Sequence, residues 1–292
     1  MPRSPKAKPT FQEFVTGFFR LVRWPNLLLL ALTQYLVRLS LISPEQPWQE
    51  GLTEGTLLRI VLATACIAAA GYIINDYYDV KIDLINKPGR VVIGRYIKRR
   101  WAMGINLVLN GLGILLGLTV SLRVGVINAA AVFLLWFYSN HLKRRPFWGN
   151  LMVSLLTALA LVVLAVQYRR HEEEVYLYAL FSFCLSLVRE IIKDMEDVKG
   201  DATFGCQTLP ILWGIRKTKT LLYGILALFF LILAASLTVL PPSMLYLFAP
   251  LSLPMGYLVY RLVRADTRQD FAFLSQYCKV VMLLGVLTMV WV

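Results

Sequence analysis

Asn75-Asp76-Tyr77-Tyr78-Asp79-Val80-Lys81-Ile82-Asp83 closes a long apolar run with three carboxylates and an amide. Acids at the end of a membrane helix cost free energy unless water or a partner satisfies them. At about 100° per helical residue, Asn75, Asp76, Asp79 and Asp83 fall within roughly a quarter turn of one face. A second acidic stripe, Asp194, Asp197 and Asp201, has related spacing and again follows an apolar segment.

The rest of the chain sets these stripes in a membrane. Its 292 residues are 58% hydrophobic, with a mean hydropathy of +0.63, too apolar for a soluble domain of that length. The net charge of +13 is spread through short loops rather than gathered on one module, which speaks against nucleic acid and for membrane topology. Cys66, Cys184, Cys206 and Cys278 show no Cys-x-x-Cys spacing and read as small hydrophobes. With only His141 and His171 beside them, a zinc or haem site has few ligands to draw on.

Hydropathy predicts nine transmembrane helices, near residues 21–42, 57–78, 101–122, 124–138, 148–166, 175–193, 218–240, 244–263 and 271–292. The expected fold is all-α and polytopic, nine helices around a central cavity in one domain over residues 1–292. The basic, Pro-rich tail Met1–Pro9 is expected to be disordered, and no removable signal peptide is read behind it. The loop with Glu45, Glu50 and Glu54 lacks Lys and Arg, whereas the next carries Lys81, Lys87, Arg90, Arg95, Lys98, Arg99 and Arg100. The positive-inside rule then puts the N-terminus and both Asp stripes in the cytoplasm and the C-terminus on the opposite side.

Two acidic stripes at one membrane face would make an oxygen-rich cage for Mg²⁺, a hard ion that takes a few carboxylates and fills its other positions with water and phosphate oxygens. A diphosphate could join such a cage through the metal, with basic residues around it. Candidates are Arg23, Lys87, Arg90, Lys143, Arg144, Arg189 and Lys193. If the diphosphate leaves, the carbocation left behind needs aromatic faces and exclusion of water. Tyr72, Tyr77, Tyr78, Trp136, Phe137 and Tyr138 are near enough in sequence to serve, Tyr138 foremost, although interfacial anchoring explains many such aromatics.

Asn75-Asp76-x-x-Asp79-x-x-x-Asp83 and Asp197-x-x-x-Asp201, preceded by Asp194, resemble the two signatures of the UbiA-type intramembrane prenyltransferase superfamily. The resemblance implies two Mg²⁺ ions and transfer of a polyprenyl group from its diphosphate to a lipophilic acceptor. It implies metal ligation by Asn75, Asp79, Asp83, Asp197 and Asp201 with Asp76 and Asp194 assisting. It also places Arg23, Asn26, Tyr138, Ser139, Lys143 and Arg144 near donor and acceptor. Asn86-Lys87-Pro88-x-Arg90 and the stretch Arg189 to Asp201 look most like the digeranylgeranylglyceryl phosphate synthases, which alkylate the hydroxyl of a prenylglyceryl phosphate. After Arg90 that group commonly reads Pro-x-x-Ser-Gly, where this chain has Val91-Val92-Ile93-Gly94.

Two other readings stay open at this point. Prenylation of an aromatic acceptor, as in quinone or chlorophyll biosynthesis, needs the same donor site. A cation transporter would place its carboxylates near the bilayer midplane rather than at one face. A CDP-alcohol phosphotransferase would carry a Gly-x-x-Ala-Arg insert that this sequence lacks. Neither nucleic acid nor an obligate protein partner is expected.

Overall fold

The computed structural model describes residues 10–86, 89, 91–236 and 245–291. The tail Met1–Pro9 and the candidate residues Lys87 and Arg90 lie outside these described residues.

Helix α1 (Phe11–Leu21) precedes the first span and was not expected as a separate element. Thr10 and Glu13 cap it reciprocally, Thr10 Oγ1 accepting from the Glu13 N–H at 3.3 Å while the Glu13 carboxylate accepts from the Thr10 N–H at 2.8 Å. That exchange satisfies N-terminal donors that would otherwise lack partners. Arg23, in the left-handed conformation at φ 52°, makes the turn into α2 (Trp24–Leu36), where Pro25 fits the first turn.

A π-helical stretch, Val37–Ile42, completes the first span. The short helix α3 (Trp48–Leu52) then leads to α4 (Gly55–Asn86). Next come α5 (Arg99–Val120), α6 (Leu122–Asn140), α7 (Trp148–Tyr168), α8 (Glu172–Thr203), α9 (Leu209–Ser236), α10 (Leu245–Arg264) and α11 (Arg268–Leu287).

Among the described residues, eight helical stretches are long and apolar enough to cross a membrane. The expected span at 244–263 forms α10, which contains Pro250 and Pro254; it is long enough, at 20 residues, but falls short of the others in apolarity. The expected span at 218–240 begins earlier, at Leu209, because a short helical turn joins it across Gly214, whose φ of 77° breaks the helical path. Residues 237–244 lie outside the described set.

Helices α5 and α6 form the expected hairpin, turning at Ser121. A Cβ on Gly117 would come within 2.4 Å of the Asn128 amide, so glycine permits the two helices to close on each other. Asn128 in turn donates to the Gly113 carbonyl at 2.9 Å.

The main core joins α2, α4, α7, α8, α9, α10 and α11 through residues such as Ile60, Leu164, Val188, Leu222, Leu258 and Leu274. A smaller core sits under α1, where Leu21 and Val22 meet Ile73, Val92, Ile93 and Ile97. The apolar replacements Val92 and Ile93 are therefore packing anchors, 5% and 2% exposed, that seat the loop after α4 against the N-terminal helix.

Candidate active site

The site is assembled at one end of the bundle, where α2 begins, α4 and α8 end, and the turn between α6 and α7 passes. Arg23 donates through Nη2 to Asp76 Oδ1 at 2.8 Å, with its guanidinium 4.7 Å from the centre of the Tyr72 ring. One turn on, Asn26 donates to the Tyr72 hydroxyl at 3.3 Å. The start of the first span is thus held to the end of the second by a cation, a ring and an amide.

The turn after α6, Leu142–Arg144, reaches across to the first acidic stripe. Lys143 Nζ donates to Asn75 Oδ1 at 3.0 Å and forms an ion pair with Asp79. Seven residues later, Asn150 in the first turn of α7 donates to Asp194 Oδ2 at 2.8 Å. One short segment therefore touches the first stripe with an ammonium and the second with an amide. The two stripes lie at the same end of the bundle, as counting spans predicts.

Burial and the nearby Lys193 charge push the Lys143 ammonium down to about 8, against the pull of Asp76 and Asp201. A cation so placed gains from any further anion that enters.

Further along α8, Glu190 is 7% exposed and pairs with both Arg189 and Lys193. Among the described residues, no three His, Cys, Asp or Glu side chains gather as a metal-holding group. The expected cage is closed instead by the chain's own cations and amides. Its chemistry nevertheless fits a hard cation, because the oxygens of Asn75 and Asp79 already converge on a positive charge, the Lys143 ammonium.

From this charged end a cavity of about 320 Å³ runs into the bundle. Arg23, Asn26, Asn75, Tyr138, Arg189 and Lys193 line it, so six of the sequence candidates share one wall system. Its deeper walls are mostly apolar, with Leu29, Ile67, Leu135 and Leu156 among them. Gln34 and Thr64 add polar atoms there, joined by a 3.1 Å hydrogen bond.

The other candidates sort by position. Asp83, Asp197 and Asp201 lie half-buried farther toward the ends of α4 and α8. Ser139 is 6% exposed and is not part of the cavity wall. Arg144 points outward, while its carbonyl accepts from the Gln207 N–H at 3.0 Å.

The aromatics divide in the same way. Tyr72 and Tyr138 line the cavity. Tyr77 lies under the Arg99 guanidinium at 4.3 Å. Trp136 is 44% exposed beside Phe133, where interfacial anchoring is its evident use.

Sequence reasoning assigned no role to Glu190 or Asn150. The signal for Glu190 was present, since it precedes Asp194 by one helical turn and extends the second stripe inward. Asn150 carried no local signal, because its role depends on which helices meet.

Comparison with known proteins agrees with this fold. The digeranylgeranylglyceryl phosphate synthase of Methanosphaera stadtmanae is 32% identical over 233 residues, covering 78% of this chain and 85% of that one. A solved structure from work on digeranylgeranylglyceryl phosphate synthase in membranes superposes with a TM-score of 0.73 at 24% identity, covering 95% and 98% of the two chains. A UbiA homologue from Archaeoglobus fulgidus, bound to GPP and Mg²⁺, superposes with a TM-score of 0.59 at 15% identity over 94% and 99%. The sequence model of the UbiA prenyltransferase family matches residues 22–284, nearly the whole bundle and both acidic stripes. With its apolar helices and this match, the chain is a multi-pass integral membrane protein that belongs to the UbiA prenyltransferase family.

Proposed function

We propose that the protein transfers a polyprenyl group from its diphosphate, with Mg²⁺, to the hydroxyl of a prenylglyceryl phosphate. The observation that carries this reading is the joining of two acidic stripes and several cations at the mouth of a mainly apolar cavity. The acceptor is suggested by the synthases that the chain resembles at 30–37% identity.

Asn75, Asp79 and Asp83 on α4, with Asp194, Asp197 and Asp201 on α8 and Asp76 assisting, would hold two Mg²⁺ ions. When bound, the metal neutralises the diphosphate and stabilises the charge that grows on it as it leaves. Arg23, Lys143 and Lys193 have donors that can exchange carboxylate partners for phosphate oxygens. Lys87 and Arg90 belong to the same proposal from sequence alone.

The carbon–oxygen bond to the diphosphate breaks with its electron pair going to the phosphate oxygen. The acceptor hydroxyl oxygen bonds to the freed carbon, and its proton passes to solvent. Tyr72 and Tyr138, at the boundary between charged mouth and apolar wall, suit the developing cation with their ring faces. The apolar walls house the chain and keep water from competing as nucleophile. The basic segments Arg95 to Arg100 and Lys143 to Arg145 support a cytoplasmic position for the mouth.

The test is to incubate purified protein with Mg²⁺ and radiolabelled geranylgeranyl diphosphate, offering geranylgeranylglyceryl phosphate and an aromatic acceptor in separate reactions. Organic-phase product with the glyceryl phosphate is the expected result. Product with the aromatic alone would move the acceptor to that class, and no Mg²⁺-dependent turnover of any prenyl donor would remove the reading.

A further inference from the structure

Lys279 belongs to neither acidic stripe, yet it lies well inside the membrane-spanning helix α11 and lines the cavity. A lysine at such a depth is costly unless it faces a polar interior, and that position points to use rather than packing.

One contact and the sense of the helices fix its height. A Cβ on Gly285 would meet the Phe181 ring at 2.4 Å, so α11 and α8 approach closely there. The segment after α11, Thr288–Trp291, packs on Val37–Ile42 at the end of the bundle where α8 begins, so α11 and α8 run in opposite senses and Lys279, six residues before Gly285, is level with about residue 187. That is within one turn of Arg189 and, at 1.5 Å per residue, roughly 9 Å deeper than Lys193.

Arg189 supplies a second observation. Its Nη1 donates to Glu190, while its buried Nε–H meets no acceptor. A buried donor of this kind carries a desolvation cost that a ligand oxygen would remove. Among the described residues the cavity wall holds Arg23, Arg189, Lys193 and Lys279 against the single carboxylate of Glu190. The excess is positive at two levels, at the mouth and one to two turns deeper.

We infer that Lys279, with the Arg189 Nε–H, forms a second anion subsite that takes the phosphate monoester of the acceptor. The inference rests on the reading of the site as one that transfers a prenyl group to a glyceryl phosphate. Its spacing suits that reaction. With a near-attack distance of roughly 3 Å and four bonds between the hydroxyl oxygen and phosphorus, the acceptor phosphate would sit roughly 8–10 Å from the leaving group. Lys279 is then the residue that separates a phosphorylated alcohol from a neutral aromatic acceptor.

The test compares wild type, Lys279→Met, Lys279→Gln and Lys279→Arg as full chains in nanodiscs, with Mg²⁺ and the unreactive thiodiphosphate analogue of the donor. Binding of geranylgeranylglyceryl phosphate is measured beside that of the same glyceryl ether without its phosphate. The expected result is an acceptor Kd and KM raised at least about tenfold in the Met and Gln variants and restored to within about threefold by Arg. The donor KM and binding of the phosphate-free ether should stay within about twofold. Unchanged acceptor binding in a folded Met or Gln variant would overturn the inference, as would a donor KM that rises in parallel. If wild type binds the glyceryl phosphate through Lys279 but prenylates only an aromatic acceptor, the subsite stands and the transfer reading fails.

Discussion

The two ends of the bundle carry polar clusters of opposite character. At the end away from the acidic stripes, Arg38 on the π-helical stretch donates to Glu54 at 2.8 Å and to Gln46 at 2.9 Å. Tyr168 completes the group, donating to Glu54 at 2.6 Å beneath the Arg38 guanidinium. One cation, one carboxylate and two neutral groups satisfy each other there, and a fixed tie between α2, α4 and α7 is the result. At the stripe end, by contrast, Lys143, Arg23 and Lys193 hold acids, and there a diphosphate would compete for the cations and a metal for the carboxylates of the stripes. A closed cluster stabilises; an exchangeable one can bind and release.

That contrast breaks most sharply at the stripes. Asp79→Ala or Asp197→Ala is expected to lower turnover by about 10³-fold or more, with size-exclusion behaviour and melting temperature kept near wild type. Retained turnover in either purified variant would take that residue out of the mechanism. Arg38→Met should do the reverse. It leaves Glu54 partly buried without its cation, so unfolding should become easier by about 1–3 kcal/mol while kcat at a permissive temperature is held. A drop in kcat without loss of thermal stability would mean that the far cluster also shapes the site.

Smaller changes sharpen the comparison. Asn150→Ala removes the amide from Asp194 and is expected to cost roughly tenfold in activity, with the loss partly recovered at high Mg²⁺ in a metal titration. Tyr72→Phe loses the hydroxyl that Asn26 donates to but keeps the ring under Arg23, so kcat/KM should fall by less than about threefold. A larger loss would show that the hydroxyl, rather than the ring face, matters to the reaction.

The spans and the acidic stripes were legible in the sequence because both are periodic: hydropathy marks a helix, and spacing of three and four marks its face. The meeting of Lys143 with Asn75 and Asp79 was partly legible, since loop charge put them on one side. Asn150 was not, because it acts on a helix distant in sequence, and neither was the place of Lys279 on the cavity wall, because nothing in its own neighbourhood says so. Helix α1 was hidden for another reason. Its apolar residues run straight into the first span, and only the left-handed turn at Arg23, which hydropathy does not register, separates the two. The replacement Val91-Val92-Ile93-Gly94 became intelligible once α1 supplied the surface that Val92 and Ile93 pack against.

Helices α4 and α8 are each 32 residues long, or about 48 Å at 1.5 Å per residue, against a hydrocarbon thickness of about 30 Å. Each helix is thus longer than the oil is thick, and its acids come at one end, after the apolar run. The consequence is one of partition between two phases. In the proposed transfer, an ionic leaving group forms at the acidic end, where it can dissolve in water, and an alkylated product forms along the apolar walls, where it can dissolve in lipid. Neither has to cross the other's solvent to depart, and mixing into separate phases draws the reaction forward.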